Sequence, residues 1–213
     1  MKDIIVSFCD YTGKFVQPWV ENGYRAILID PQHEPGVTTD GRITRVGRII
    51  DHPETYEVLR WALPYVCFVG GFPPCTDVAV SGSRWFDEKR KADPHFQAKA
   101  ALVAEQCRFY GKLSGAPWVF ENPVSVFSSI FGKPTFTFQP WHYTGYCPED
   151  NYTKTTCLWA GNNFRLPPPL VAQGLPEPDD RIHRAAPGPE RANFRSATPL
   201  GFSLAVFREH GDL

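Results

Sequence analysis

Tyr65-Val66-Cys67-Phe68-Val69-Gly70-Gly71-Phe72-Pro73-Pro74-Cys75-Thr76 is the stretch that decides the fold. Its first five residues form a short apolar run bounded by turn residues, the pattern of a buried strand. The glycines and prolines then stop the strand and hold the next residues in a fixed loop. Cys75 is thereby presented at the end of a strand, where open α/β sheets bind their ligands. A rigid, partly exposed cysteine suits covalent chemistry. The alternative is an inert buried thiol, which is the ordinary fate of a cysteine.

Working outward, strand-like and helix-like segments alternate. Residues 4–8 read as a strand, and 14–22 as a short helix closed by Gly23. Residues 26–30 read as a second strand. Residues 53–63 read as a helix, with Asp51 or His52 near its cap and Pro53 at an early position. Residues 94–113 form the longest helix, with Phe96, Ala100, Val103, Cys107 and Tyr110 spaced for one face. Another strand covers 118–120. This alternation predicts an α/β fold, a mostly parallel sheet with helices on both sides. Beyond it, 135–138 and 156–159 read as strands and 200–209 as a closing helix. Between them, residues 161–195 are rich in proline, glycine and charge, and predict a long loop that is functional or partly disordered.

The 213 residues suggest one domain, and 42% hydrophobic content supports a real core. A formal net charge of -1 means no global basic field advertises nucleic acid, although local patches suffice for contact. The 6 Cys include no CxxC pair and match neither a zinc site nor a disulfide framework. The 6 His share no metal-ligand spacing, so no metal is expected. Met1 to Val6 enters a strand at once, without a signal-peptide pattern, and no segment is long enough to span a bilayer. These features predict a cytoplasmic protein with reduced thiols.

Three segments carry chemistry. The first strand runs into Phe8-Cys9-Asp10-Tyr11-Thr12-Gly13, and the second ends in Asp30. A turn after one strand and an acid closing the next is the arrangement of a nucleotide-type cofactor site, with the acid on ribose hydroxyls. GxGxxG is absent, which disfavours a dinucleotide. Glu121-Asn122-Pro123 places a carboxyl at a strand tip, beside the Cys75 loop if the strands are sequential. A thiolate and a carboxylic acid facing one pocket are what conjugate addition to a pyrimidine needs. The thiolate attacks ring carbon 6 and the acid serves ring nitrogen 3. Semi-burial would raise the carboxyl pKa and keep it a donor. A cysteine phosphatase is disfavoured, because Arg84 lies too far beyond Cys75.

Gly70-Gly71-Phe72-Pro73-Pro74-Cys75 resembles the Pro-Cys loop of the cytosine carbon-5 DNA methyltransferases, and Glu121-Asn122-Pro123 resembles their Glu-Asn-Val element. Thr153 to Gly161 is similar to the strand bearing their Gln-x-Arg-x-Arg element. Pro187-Gly188-Pro189-Glu190-Arg191, through Arg195-Ser196-Ala197-Thr198-Pro199, is similar to the closing segment of small phage-type members. Order and spacing agree over nearly the whole chain. The resemblance implies a Rossmann-like fold of the S-adenosylmethionine-dependent methyltransferase type, in a bacterial or phage-infected host cell. It implies S-adenosyl-L-methionine as methyl donor, Cys75 as nucleophile, Glu121 on ring nitrogen 3, and Lys154 on the base's carbonyl oxygen or a phosphate. Phe8, Asp10, Gly13, Asp30 and Pro73 would line the cofactor site, with Asp51 toward the adenine amino group or simply capping a helix. Pro74, Thr76, Asn122 and Arg84 would meet the substrate.

The chain departs from the family in three places. The cofactor loop of the family is Phe-x-Gly-x-Gly, whereas Asp10, Tyr11 and Thr12 crowd it here. Thr156 replaces the second arginine. Residues 162–195 stand where a large target-recognition domain would follow. The expected substrate is therefore cytosine with little sequence context, in duplex DNA with the base flipped out, in single-stranded DNA, or in a nucleotide. A partner or a second copy would supply any stricter recognition. Rival readings are another carbon-5 modification by the same addition chemistry, and a non-catalytic nucleic-acid-binding module. Arg84 with Lys89-Arg90-Lys91, and the cluster Arg181, His183, Arg184, Arg191 and Arg195, read either as phosphate contacts or as solvated surface.

Overall fold

The computed structural model describes residues 2–184 and 196–211. Its centre is an eight-stranded sheet in the order β3-β4-β2-β1-β5-β6-β8-β7. The strands are β1 (Ile4–Phe8), β2 (Arg25–Ile29), β3 (Gly36–Asp40), β4 (Ile43–Gly47), β5 (Val66–Gly71), β6 (Trp118–Pro123), β7 (Phe136–Phe138) and β8 (Thr156–Gly161). β4, β2, β1, β5 and β6 run parallel, β8 runs antiparallel between β6 and β7, and β3 is an antiparallel edge strand. The fold is α/β with a largely parallel sheet, as the alternating pattern predicts.

Alternation along each strand divides the core. Ile4, Val6 and Phe8 of β1 join Ile27, Ile29 and Phe120 under α2 (Pro53–Ala62), α4 (Phe96–Ser114) and α5 (Phe127–Ile130). Ile5, Ala26, Leu28 and Phe68 join Trp19 of α1 (Gln17–Glu21) and Phe202 and Val206 of α7 (Leu200–His210) on the other face. Burial on both faces is why the parallel strands read as continuous apolar runs. Leu59, Phe68 and Phe202 are each at most 5% exposed; a core side chain of this kind contributes about 1.5–3 kcal/mol by leaving water.

The strand order reverses at β1. After β2 and the β3–β4 hairpin on one flank, α2 carries the chain back to β5 on the other flank. The carboxyl ends of β1 and β5 therefore frame the crevice in which sheets of this kind bind ligands. Gly70 and Gly71 end β5 because neighbours crowd it. A Cβ on Gly70 would lie 2.6 Å from the Phe15 ring, and one on Gly71 would lie 2.9 Å from Cys107 Cβ.

Three features differ from the sequence expectation. Residues 36–47 form a hairpin with its turn at Gly41 (φ +56°). Residues 86–92 form a separate helix, α3 (Phe86–Ala92), before α4. Residues 162–184 contain only the short α6 (Arg181–Arg184), yet they are bonded onto the body. Tyr143 Oη donates to Pro167 O (2.9 Å), Gly145 N to Leu170 O (2.7 Å), and Thr153 N to Asp179 O (2.7 Å). This stretch is a strap pinned to residues 142–153. Arg191, Arg195 and the Pro187-Gly188-Pro189 run lie outside the described residues, as does the His183 side chain. No described helix is long and apolar enough to cross a membrane.

Candidate active site

The loop after β1 is tied to itself. Asp10 is buried, and its carboxylate accepts from Ser7 Oγ (2.8 Å), Gly13 N (2.8 Å) and Thr12 Oγ1 (3.3 Å). Burial pushes this carboxyl above its ordinary range; the three hydrogen bonds oppose that and the nearby Asp30 charge adds to it. Asp10 thus braces the loop from within. Gly13 takes φ +68°, a conformation that only glycine adopts readily. Cys9 is also left-handed, at φ +56°. The Phe8 ring lies wholly in the core, edge-on to Tyr110 at 5.5 Å, so the pocket-wall role expected for it falls at most to its backbone.

Asp30 caps the end of β2 and is buried. Its Oδ1 accepts from Gln32 N (2.8 Å) and Gln32 Nε2 (3.3 Å), while Oδ2 has no hydrogen bond among the described residues. Three residues on, His33 is 8% exposed, its Nε2 has no partner, and its ring lies 5.4 Å from that of Tyr11. Asp30 Oδ2, His33 Nε2 and the paired Tyr11 and His33 rings thus all belong to the loops that follow β1 and β2. That set suits a ligand with hydroxyls and a flat heterocycle. Sequence reasoning passed over His33 as one scattered histidine; its position just after the strand-end acid was the available signal. Asp51 is exposed and accepts from the Tyr56 hydroxyl, whereas His52 caps α2 through Nδ1 to Glu54 N (3.2 Å).

The loop after β5 is stitched on both sides. Phe72 N donates to Phe8 O (2.9 Å), and Pro73 O accepts from Asn122 Nδ2 (2.9 Å). Cys75 is half-buried between exposed Pro74 and Thr76, and its carbonyl accepts from Val78 N (3.1 Å) and Ala79 N (2.9 Å). The chain then pairs with the exit of β6: Val126 N donates to Val78 O, and Val80 N to Val124 O, both at 3.0 Å. Pro73 is buried in this seam, so its ring packs rather than lines an open wall. Arg84 stands over the Trp85 ring at 5.1 Å.

Glu121 occupies the tip of β6, on the same face as Val119, opposite Leu158 of β8. It is buried, and among the described residues it makes no hydrogen bond. Burial raises its carboxyl pKa, and the Lys154 charge opposes the rise. Lys154 is buried just before β8; its N–H donates to Gln139 Oε1 (2.8 Å) and its Nζ donates to Ala197 O (3.5 Å). Thr156 turns its hydroxyl onto Lys154 O (3.1 Å).

No protein-family model and no curated protein matches the chain.

A cavity of about 600 Å³ has Ala197, the carbonyl partner of Lys154, in its wall. Lys14, Asp150, Tyr152, Arg181, Thr198 and Leu200 are among its walls. Asp150 closes its floor by accepting from Gly201 N (2.7 Å) at the start of α7. Burial raises the Tyr152 pKa, and the charges of Asp150 and Glu121 add to the rise. No described group of three or more His, Cys, Asp or Glu is arranged to hold a metal ion.

Proposed function

We propose that this protein transfers a methyl group to carbon 5 of cytosine in DNA, through a covalent bond from Cys75 to carbon 6. The observation that carries the reading is the brace between Asn122 and Pro73. It locks the thiol-bearing loop to the strand tip that presents a buried carboxyl with a raised pKa.

Each residue has a definite task. The Cys75 sulfur bonds carbon 6, and the displaced ring electrons accumulate toward nitrogen 3 and carbon 5. Glu121, whose carboxyl pKa burial raises, is placed to serve nitrogen 3 as a proton donor and to stabilise that density. Lys154 sits within electrostatic reach of Glu121 and is suited to the base's carbonyl oxygen. Asp30 Oδ2, His33 and Tyr11 would hold the adenosyl part of S-adenosylmethionine, which when bound supplies an electrophilic methyl carbon. Loss of the carbon-5 proton to a base then returns the electron pair, breaks the bond to Cys75 and restores the aromatic ring.

The test is transfer from labelled S-adenosylmethionine to cytosine-containing oligonucleotides, comparing wild type with Cys75→Ser. Transfer should vanish in the variant. An oligonucleotide bearing 5-fluorocytosine should trap wild type as an adduct stable to denaturation, because fluorine cannot leave as a proton. Undiminished transfer by Cys75→Ser would refute the assignment.

A further inference from the structure

None of residues 80–95 is buried, although the segment is built of a 3-10 helix (Val80–Trp85), α3 and the start of the turn into α4. An ordered stretch with no buried side chain contributes little to folding and is available for contact. Its anchors are few. Lys89 Nζ donates to Thr76 O (2.8 Å) and Asp77 Oδ1 (2.7 Å), and the Phe86 ring meets Phe96 at 5.8 Å.

The Lys89 anchor ties this segment to the residue that follows Cys75. Trp85 and Lys89 are four residues apart on helical backbone and share one face. Lys89 reaches the carbonyl of Thr76, the neighbour of Cys75, and Trp85 stands one turn ahead of it, at the junction of the 3-10 helix and α3. Trp85 is 48% exposed, and beside this loop Val80 and Val124 are each 50% exposed. Arg84 covers one part of the indole and has no carboxylate partner among the described residues.

A second exposed Arg–tryptophan pair makes the contrast. Arg25 lies 5.6 Å from the Trp61 ring, at the opposite, amino end of the sheet, where Asp3 accepts from its Nε and Nη2. That pair is electrically closed. The pair beside Cys75 offers an open aromatic face and an unneutralised cation, which are the two elements of a single-strand platform: a base stacks on the ring and a phosphate meets the cation.

We infer that Trp85 and Arg84 form a stacking platform for a nucleotide flanking the target, and that the strand presented to Cys75 is single-stranded DNA. The inference rests on Cys75 being the nucleophile for its biological meaning, but binding tests it independently of turnover. Such stacking is sequence-tolerant because every base has a π-face. It therefore supplies affinity where the chain has no described element to enter a groove.

The experiment is fluorescence anisotropy with a labelled single-stranded 15-mer containing one cytosine, and with the same sequence as a hairpin duplex. The proteins are wild type, Trp85→Ala, Trp85→Phe and Trp61→Ala. Trp85→Ala should weaken single-strand binding at least about tenfold, the scale of one base–aromatic stack. Trp85→Phe should retain most of the affinity, and Trp61→Ala should bind as wild type. Wild type should prefer the single strand. Equal binding by Trp85→Ala and wild type would overturn the platform, as would a preference for the duplex. Loss of binding in Trp85→Ala alongside absent methyl transfer in wild type would sink the Cys75 reading alone.

Discussion

Asn122 donates its side-chain amide to the carbonyl oxygen of Pro73 at 2.9 Å, so the residue after the candidate acid grips the residue two before the candidate nucleophile. Both partners are buried, and the Asn122 Oδ1 is left without a partner. A buried polar atom left unpaired is costly. Its persistence beside the crevice marks Asn122 as a residue that positions the site.

Removing that brace should cost activity more than stability. Asn122→Ala leaves the Pro73 carbonyl unpaired, worth about 1–3 kcal/mol in a denaturant titration. The initial rate should fall further than the folded fraction does, because the Cys75 loop loses its register against Glu121. A rate that merely tracked the folded fraction would show the brace to be structural only.

Glu121 should impose a pH slope on stability. Its folded pKa is raised, so the folded protein holds this proton more tightly than the unfolded chain. The group's contribution is therefore full below the ordinary glutamate range and declines as pH rises through the raised folded value. Glu121→Gln should flatten that slope in denaturation curves taken from acid to neutral pH. It should also lower transfer about a hundredfold or more, the usual scale for a lost acid.

Lys154 should tune that titration. Its charge holds the Glu121 pKa down against burial, so Lys154→Met should move the Glu121 midpoint upward. The side-chain carboxyl carbon shift in NMR reads this directly. A downward or absent movement would mean that the two charges are not coupled.

Gly71→Ala should destabilise by about 1–3 kcal/mol, since its Cβ would press on Cys107 Cβ at 2.9 Å and Phe120 Cβ at 3.1 Å in a packed core. Gly82→Ala is the control. Its nearest neighbour would be Thr76 O at 4.0 Å, and the change should stay within about 0.5 kcal/mol in a thermal melt.

Asp30→Asn should weaken binding of S-adenosylhomocysteine about tenfold in calorimetry, as expected for loss of a charged hydrogen-bond acceptor. His33→Ala should weaken it too, and binding unchanged in both would remove the ends of β1 and β2 from the cofactor site.

Strands β1, β2, β5, β6 and β8 and helices α2, α4 and α7 are legible in the sequence because burial on one or both faces writes itself as an apolar pattern. The β3–β4 hairpin is not. Thr38, Thr39 and Asp40 lie exposed on an edge, where solvent imposes no alternation. α3 hides for the same reason, having no buried face. Within the site, Cys75 and Glu121 stand out because Gly and Pro punctuate strand ends. The Asn122–Pro73 brace and the seam from Val78 to Val126 are invisible, since any sequence can supply backbone partners. Adjacency locates Asp10 and Phe8 at the crevice but says nothing of where their side chains turn, which is inward.

β8 runs antiparallel to β6, so Glu121 is delivered by the end of one strand and Lys154 by the approach to its neighbour. Pairing of Glu121 with Leu158 and of Asn122 with Cys157 fixes which face each residue serves. Sliding β8 by a single step would exchange the faces of all its side chains. A one-residue deletion ahead of β8 therefore has to be absorbed in the loops between residues 139 and 155, never by the strand. In an evolving lineage the length of that connection is constrained as tightly as the identity of the residues it delivers.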